Sequence, residues 1–177
     1  NYIYFFYNRA LRLIPLLFVV ICIVAIEKYL SDGDLYDYVR RILAGVVKPT
    51  LPNGGWSITV EFHFYLILPL LLLLSERYKY SLILLLIISI LVRTVLHQEI
   101  GQIHILSFWT IVGRIDQFLL GILAFQFRDR LSGQHLLVIG ALTLFLLFYW
   151  IFDLRGGFYK NPSYPSPSLL WIYMPTV

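Results

Sequence analysis

Apolar residues along this chain come in solid runs that end at charge or at Gly, Pro and Asn. They do not alternate, and they do not mark a single helical stripe. A helix of about 20 mostly apolar residues crosses the hydrocarbon core of a bilayer. Five runs approach or exceed that length: residues 10–30, 56–74, 80–96, 105–127 and 135–152, and a sixth starts at Pro167. Each is predicted to be helical, because a lone strand leaves its backbone groups unpaired in lipid and a barrel would show alternating polarity. Pro15 and Pro69 fall inside runs, where neighbouring helices can accommodate the kinks they predict.

Between the first two runs, Leu35, Val39, Ile42, Leu43 and Val46 recur at helical spacing behind Asp34, a residue suited to an N-cap. The pattern predicts a short helix lying on the membrane surface. The stretch "KPTLPNGG" that follows, with Pro49, Pro52, Gly54 and Gly55, predicts a turn back into the bilayer. A second loop, "DLRGGFYKNPSYPSPS", predicts an irregular segment. The expected fold is all-α: a polytopic transmembrane helical bundle with five full spans and the start of a sixth.

Composition agrees and narrows the class. Hydrophobic residues make up 59% of the 177, against roughly 45–50% in soluble domains, so a water-soluble core of this size is excluded and the lipid bilayer is the expected partner. The single cysteine, Cys22, excludes a disulfide framework or a Cys-based metal cluster. A net charge of +4 would suit nucleic acid, but no basic block or aromatic platform accompanies it, and the basic residues flank apolar runs instead. Arg9 and Arg12, then Arg77 and Lys79, then Arg128 and Arg130 collect on one side. That side is expected to be cytoplasmic, with the whole an integral protein of a bacterial inner (plasma) membrane.

Ionisable groups inside a span cost about 2.5–3.5 kcal/mol each, so they persist where they meet a partner or a polar cavity. Glu61 and His63 lie in the second run, Arg93 near the outer end of the third, and Arg114 and Asp116 in the middle of the fourth. Ser57, Glu61 and Tyr65 share one helical face, while His63 points elsewhere. Glu61 either pairs with Arg114 to staple two helices or lines a reaction cavity. Arg114 and Asp116, two apart, need separate partners; each is either an interhelical link or, for Arg114, a cation facing a polar substrate or developing oxyanion. Arg9 and Arg12 share a face and are either flanking charges or phosphate ligands. His97, His104 and His135 sit at run ends as solvated positions, and His63 has no companions for a metal site.

Three stretches together resemble the integral-membrane acyltransferases of acyltransferase family three. "FFYNRALRLIP" is similar to the family's aromatic, Arg-rich lead-in to Ile-Pro. "WSITVEFHFYLILP" is similar to its Trp-Ser-x-x-Val-Glu-x-x-Phe-Tyr signature, and "GRIDQFLLGILA" to its Arg-x-Asp/Glu-x-Phe-x-x-Gly segment. The resemblance covers nearly the whole chain. It implies transfer of an acyl group, often acetyl, from acyl-CoA as donor substrate to a hydroxyl of a carbohydrate or lipid-linked glycan acceptor, with no bound cofactor or metal.

Matched by position, the resemblance implies catalytic roles for Glu61 and Arg114, substrate binding by Trp56, Ser57, Tyr65 and Asp116, and acyl-CoA binding by Arg9 and Arg12. Phe62 and His63 depart from the family, which often has a second Glu and a Gln there, leaving Glu61 as the only acid in that signature. The family's presumed catalytic histidine precedes the Arg-rich lead-in. Residues 1–177 are therefore expected to be a partial acyltransferase domain, without the N-terminal catalytic helix and C-terminal helices and inactive alone. The reading from another class is a polytopic transporter or glycan flippase, which also carries mid-membrane charge.

Overall fold

The structure is a computed structural model that describes residues 2–48, 50–52, 55–160 and 163–177, with Asp32 by its backbone alone. Pro49 and Gly54 of the turn expected in "KPTLPNGG", and residues 161–162 of the second loop, lie outside the described residues. The described residues form α1 (Tyr2–Asp32), α2 (Tyr36–Ala44), α3 (Trp56–Arg77), α4 (Ser81–Ile100), α5 (His104–Trp109), α6 (Ile111–Gln126), α7 (Arg128–Leu131), α8 (His135–Leu154) and α9 (Leu170–Tyr173), with no strand among them. The all-α, polytopic class is the one observed. Helices α1 and α3 continue through Pro15 and Pro69.

Among the described residues four helices, not five, are long and apolar enough to cross a membrane: Tyr2–Ser31 of α1, and α3, α4 and α8. The correction falls on the run 105–127, which is broken at Thr110 into α5 and α6. At 16 residues, α6 is about 24 Å long, short of a core about 30 Å thick. Pro167 opens no long helix either; the sixth run yields only the single turn of α9.

The break brings Gly113 against the backbone of Leu106 and Ser107, where an added Cβ would overlap the Leu106 carbonyl. Inside a helix, Gly→Ala ordinarily stabilises by about 0.8–1 kcal/mol. At Gly113 the neighbours are backbone and cannot swing away, so overlap wins: Gly113→Ala is expected to destabilise by roughly 1–3 kcal/mol. At Gly121, where a Cβ meets nothing within 4 Å, the same change should show the ordinary gain. Denaturation of the two variants in detergent checks the difference in sign.

The chain divides into two compact units, Asn1–Leu73 with Trp109–Ile111, and Leu74–Phe108 with Val112–Val177. In the first, α1 and α3 pack antiparallel. The Phe6 and Phe62 rings meet at 5.3 Å, Phe5 and Tyr65 at 5.7 Å, and the Tyr2 hydroxyl donates to the Tyr65 carbonyl. Helix α2 is the predicted short helix, but its N-cap is Leu35 and not Asp34, with no side-chain cap bond; the Asp34 carboxylate, one residue earlier, accepts from the Tyr36 N–H at 2.8 Å. Its anchor is Tyr38, 6% exposed, whose hydroxyl donates to the Ile21 carbonyl of α1 at 2.9 Å. The last carbonyls of a helix lack partners in their own helix. Just past α2, those of Gly45 and Val46 accept from the Thr59 hydroxyl at 2.6 Å and from His63 Nε2–H at 2.8 Å. His63 thus ties the surface helix to α3. Val39, Leu43 and Val46 are exposed, as an interfacial helix requires.

The second unit is built around Ile103, Phe152, Trp171 and Ile172, with Phe108, Phe148 and Phe158 packed against them. Trp171 meets Phe152 and Phe158 edge-on at 4.9 and 5.3 Å, a favoured arrangement of aromatic quadrupoles. Above this cluster, residues 164–168 form a strap held by two histidines. The Ser166 N–H donates to His104 Nδ1 at 3.4 Å, and His97 Nε2–H donates to the Pro167 carbonyl at 3.1 Å.

Burial pushes the His104 pKa below its usual value, so the folded chain favours the neutral ring, which alone can accept from Ser166. The stabilisation is fully present above the ordinary value of about 6.5 and is lost as pH falls through the lowered folded value. His97 donates in either protonation state. Protection of the Tyr164, Ser166 and Ser168 amides, with exchange corrected for its intrinsic pH dependence, should therefore fall on acidification below about pH 6.5, and His104→Gln, which keeps an acceptor, should flatten that dependence; protection independent of pH in the native chain contradicts it.

Candidate functional site

The spacing of α3 places Ser57, Glu61 and Tyr65 on one face, and the Tyr65 hydroxyl donates to Glu61 Oε2 at 2.9 Å. This i, i+4 bond fixes one carboxylate oxygen. From α1, the Arg9 guanidinium lies 5.8 Å from the centre of the Tyr65 ring and 5.5 Å from that of Phe5. Arg12, exposed one turn on, is within electrostatic reach of Tyr65. Four of the residues read from the sequence, Arg9, Arg12, Glu61 and Tyr65, are thus brought together.

The depth of Arg9 differs from the expectation. Sequence assigns it to a flank, but the antiparallel register sets it beside Tyr65, the tenth residue of the 22 in α3 and about 14 Å along that helix from Trp56. A guanidinium at that level meets an aromatic face, an arrangement worth more once water is removed. Between the helices is a cavity of about 40 Å³ lined by Arg9, Tyr65, Phe6, Phe62, Leu13 and Ile58 among others. At roughly 10–15 Å³ for each water-sized group, it has room for about three. Trp56 and Ser57 are half-buried in the first turn of α3.

Asp116 and Arg114 belong to the second unit and have different surroundings. Asp116 Oδ2 accepts from Arg93 Nη2 at 2.7 Å, with both side chains 0% exposed, and also from the Thr176 hydroxyl. Arg93 further donates to the carbonyls of Ile172 at 2.7 Å and Gly113 at 2.8 Å and to Thr176 Oγ1 at 2.8 Å. Asp116 is thus paired with Arg93 of another helix, the interhelical link its sequence position suggests, where the resemblance implied substrate binding. Its Oδ1, also buried, has no hydrogen-bond partner among the described residues. Arg114 Nε–H donates to the Phe108 carbonyl at 2.6 Å, with the guanidinium 4.3 Å from the centre of the Phe108 ring. Two carbonyls beside the helix break thus accept from guanidinium groups.

Arg93 and Thr176 are the residues that sequence reasoning left without a role. The available signal was a cation and an acid inside successive apolar runs; nothing in it selected Arg93 over Arg114. No group of three His, Cys, Asp or Glu side chains that could hold a metal occurs among the described residues.

A family profile described as an acyltransferase domain matches residues 1–177, the whole chain. No curated protein and no solved structure matches it.

Proposed function

We propose that this chain, which belongs to the acyltransferase family whose profile spans it, carries part of a site that moves a short acyl group from acyl-CoA to a hydroxyl of a carbohydrate or other cell-surface acceptor. The observation that carries the reading is the Arg9–Tyr65–Glu61 cluster beside the small cavity between α1 and α3. Room for about three non-hydrogen atoms suits acetyl better than a long chain.

In the proposed reaction the acceptor hydroxyl oxygen attacks the thioester carbonyl carbon, the new ester C–O bond forms, and the C–S bond breaks. The hydroxyl proton passes to a base and then to the departing CoA thiolate. The resemblance implies a histidine as that base. Glu61, held by Tyr65, accepts from the acceptor hydroxyl and orients it. Arg9 supplies positive charge where the oxyanion develops, and Arg12 offers a guanidinium fork to donor phosphate. Arg114, already bonded to the Phe108 carbonyl, contributes by holding the broken helix.

The broken α5–α6 helix, like the mid-membrane charge, is a feature shared with transporters. Its Phe108 and Gly113 carbonyls are occupied by arginines of the chain itself, which favours a fixed structural role over an ion pathway. The test is transfer of labelled acetyl from acetyl-CoA by the intact protein in membranes. Alkali-labile label on a carbohydrate acceptor is expected; passage of a glycan across the membrane without donor binding or transfer would instead establish the transporter reading.

A further inference from the structure

Helices α3 and α4, each long enough to span, are joined by a three-residue turn, Tyr78, Lys79 and Tyr80. The turn is closed by the Ser81 hydroxyl, which donates to the Leu74 carbonyl at 2.9 Å. Beside it opens a cavity of about 670 Å³. Its wall is apolar, formed by Leu74, Leu84 and Leu85, and its rim carries Arg77 and Lys79. Neither cation has an ion-pair partner among the described residues, and no acidic side chain lines the space. Tyr78 and Tyr80, which also line it, are 60% and 67% exposed, as aromatic residues at the border of hydrocarbon and headgroups are.

We propose that this cavity is a binding site for one anionic phospholipid of the adjoining leaflet. The phosphate fits the forked guanidinium of Arg77 together with the Lys79 ammonium, 5.4 Å from the Tyr80 ring centre. An acyl chain lies along Leu84 and Leu85, continuous with the lipid-facing surface of α4. Charge complementarity selects the headgroup. A choline or ethanolamine ammonium would find two cations and no carboxylate, whereas phosphatidylglycerol keeps its net negative charge. A soluble phosphate would use the rim and leave the leucine wall uncovered. The site shares no residue with the Glu61 cluster and does not depend on the proposed reaction.

The experiment uses the purified chain in nanodiscs of phosphatidylcholine containing phosphatidylglycerol, with retained lipid read by native mass spectrometry. Preferential retention of phosphatidylglycerol is expected. Each basic residue near a membrane surface contributes about fivefold, so Arg77→Gln with Lys79→Gln is expected to lower that retention by about 25-fold with unchanged circular dichroism. Arg128→Gln with Arg130→Gln, at another basic turn, should leave it unchanged. Undiminished preference in the first variant overturns the site. An equal loss in the second reduces it to general surface charge and overturns it too. Displacement of the lipid by free coenzyme A would show that a soluble phosphate is the occupant and would overturn the lipid assignment.

Discussion

Replacing Arg93 by alanine is expected to cost about 3–5 kcal/mol of stability, the range for breaking a buried ion pair by removing one partner. Interhelical hydrogen bonds in membranes average only about 0.6 kcal/mol in double-mutant cycles, so four lost bonds counted singly would predict less. The larger effect is the charge left behind. Asp116 is 0% exposed and among the described residues would keep Thr176 alone as a donor, while the Ile172 and Gly113 carbonyls would lose the partners they have in Arg93. Removing both charges with similar volume, Arg93→Met with Asp116→Leu, should be milder than Arg93→Ala alone, because no unpaired charge remains. Denaturant titration in mixed micelles, followed by circular dichroism, measures both. A loss below about 1 kcal/mol for Arg93→Ala would mean that the pair is not holding α4 to α6.

Glu61→Gln in the intact protein is expected to lower acyl transfer by about 10²–10⁴-fold, the usual contribution of a positioned acid or base, with membrane insertion and stability nearly unchanged. The two halves of that expectation have separate causes. Glutamine has almost the shape of glutamate, and its carbonyl oxygen still accepts from Tyr65, so the bond within α3 survives. Glu61 is half-buried, so no buried charge is orphaned elsewhere. What disappears is the negative charge that would hold and polarise an acceptor hydroxyl.

The helices were legible because a run of apolar residues at bilayer length has one backbone solution in lipid. The Glu61–Tyr65 contact was equally legible, since it depends only on the four-residue repeat of a helix. The break at Thr110 was not. No proline or glycine stands at it, and the run 105–127 is mostly apolar on both sides of Thr110. It persists because Arg93, 20 residues from Gly113, and Arg114 take carbonyls beside it. Gly113, pressed against Ser107, was the only local clue. The Arg93–Asp116 pair spans 23 positions, and helical spacing says nothing about partners on another helix. For the same reason the depth of Arg9 escaped sequence reasoning: it follows from the register of α1 on α3, which side-chain packing sets. Tyr38 was passed over because the surface-helix pattern was read from its aliphatic residues, yet the residue that anchors α2 is a tyrosine with a polar tip directed at a backbone carbonyl.

The most direct test compares the rate of labelled acetyl transfer from acetyl-CoA to a hydroxyl acceptor by the native intact protein and by its Glu61→Gln variant, at equal abundance in vesicles. Ester-linked label on the acceptor in the native protein, falling at least about a hundredfold in the variant, is the expected result. Equal rates in the two would contradict a reaction centred on the Glu61 cluster.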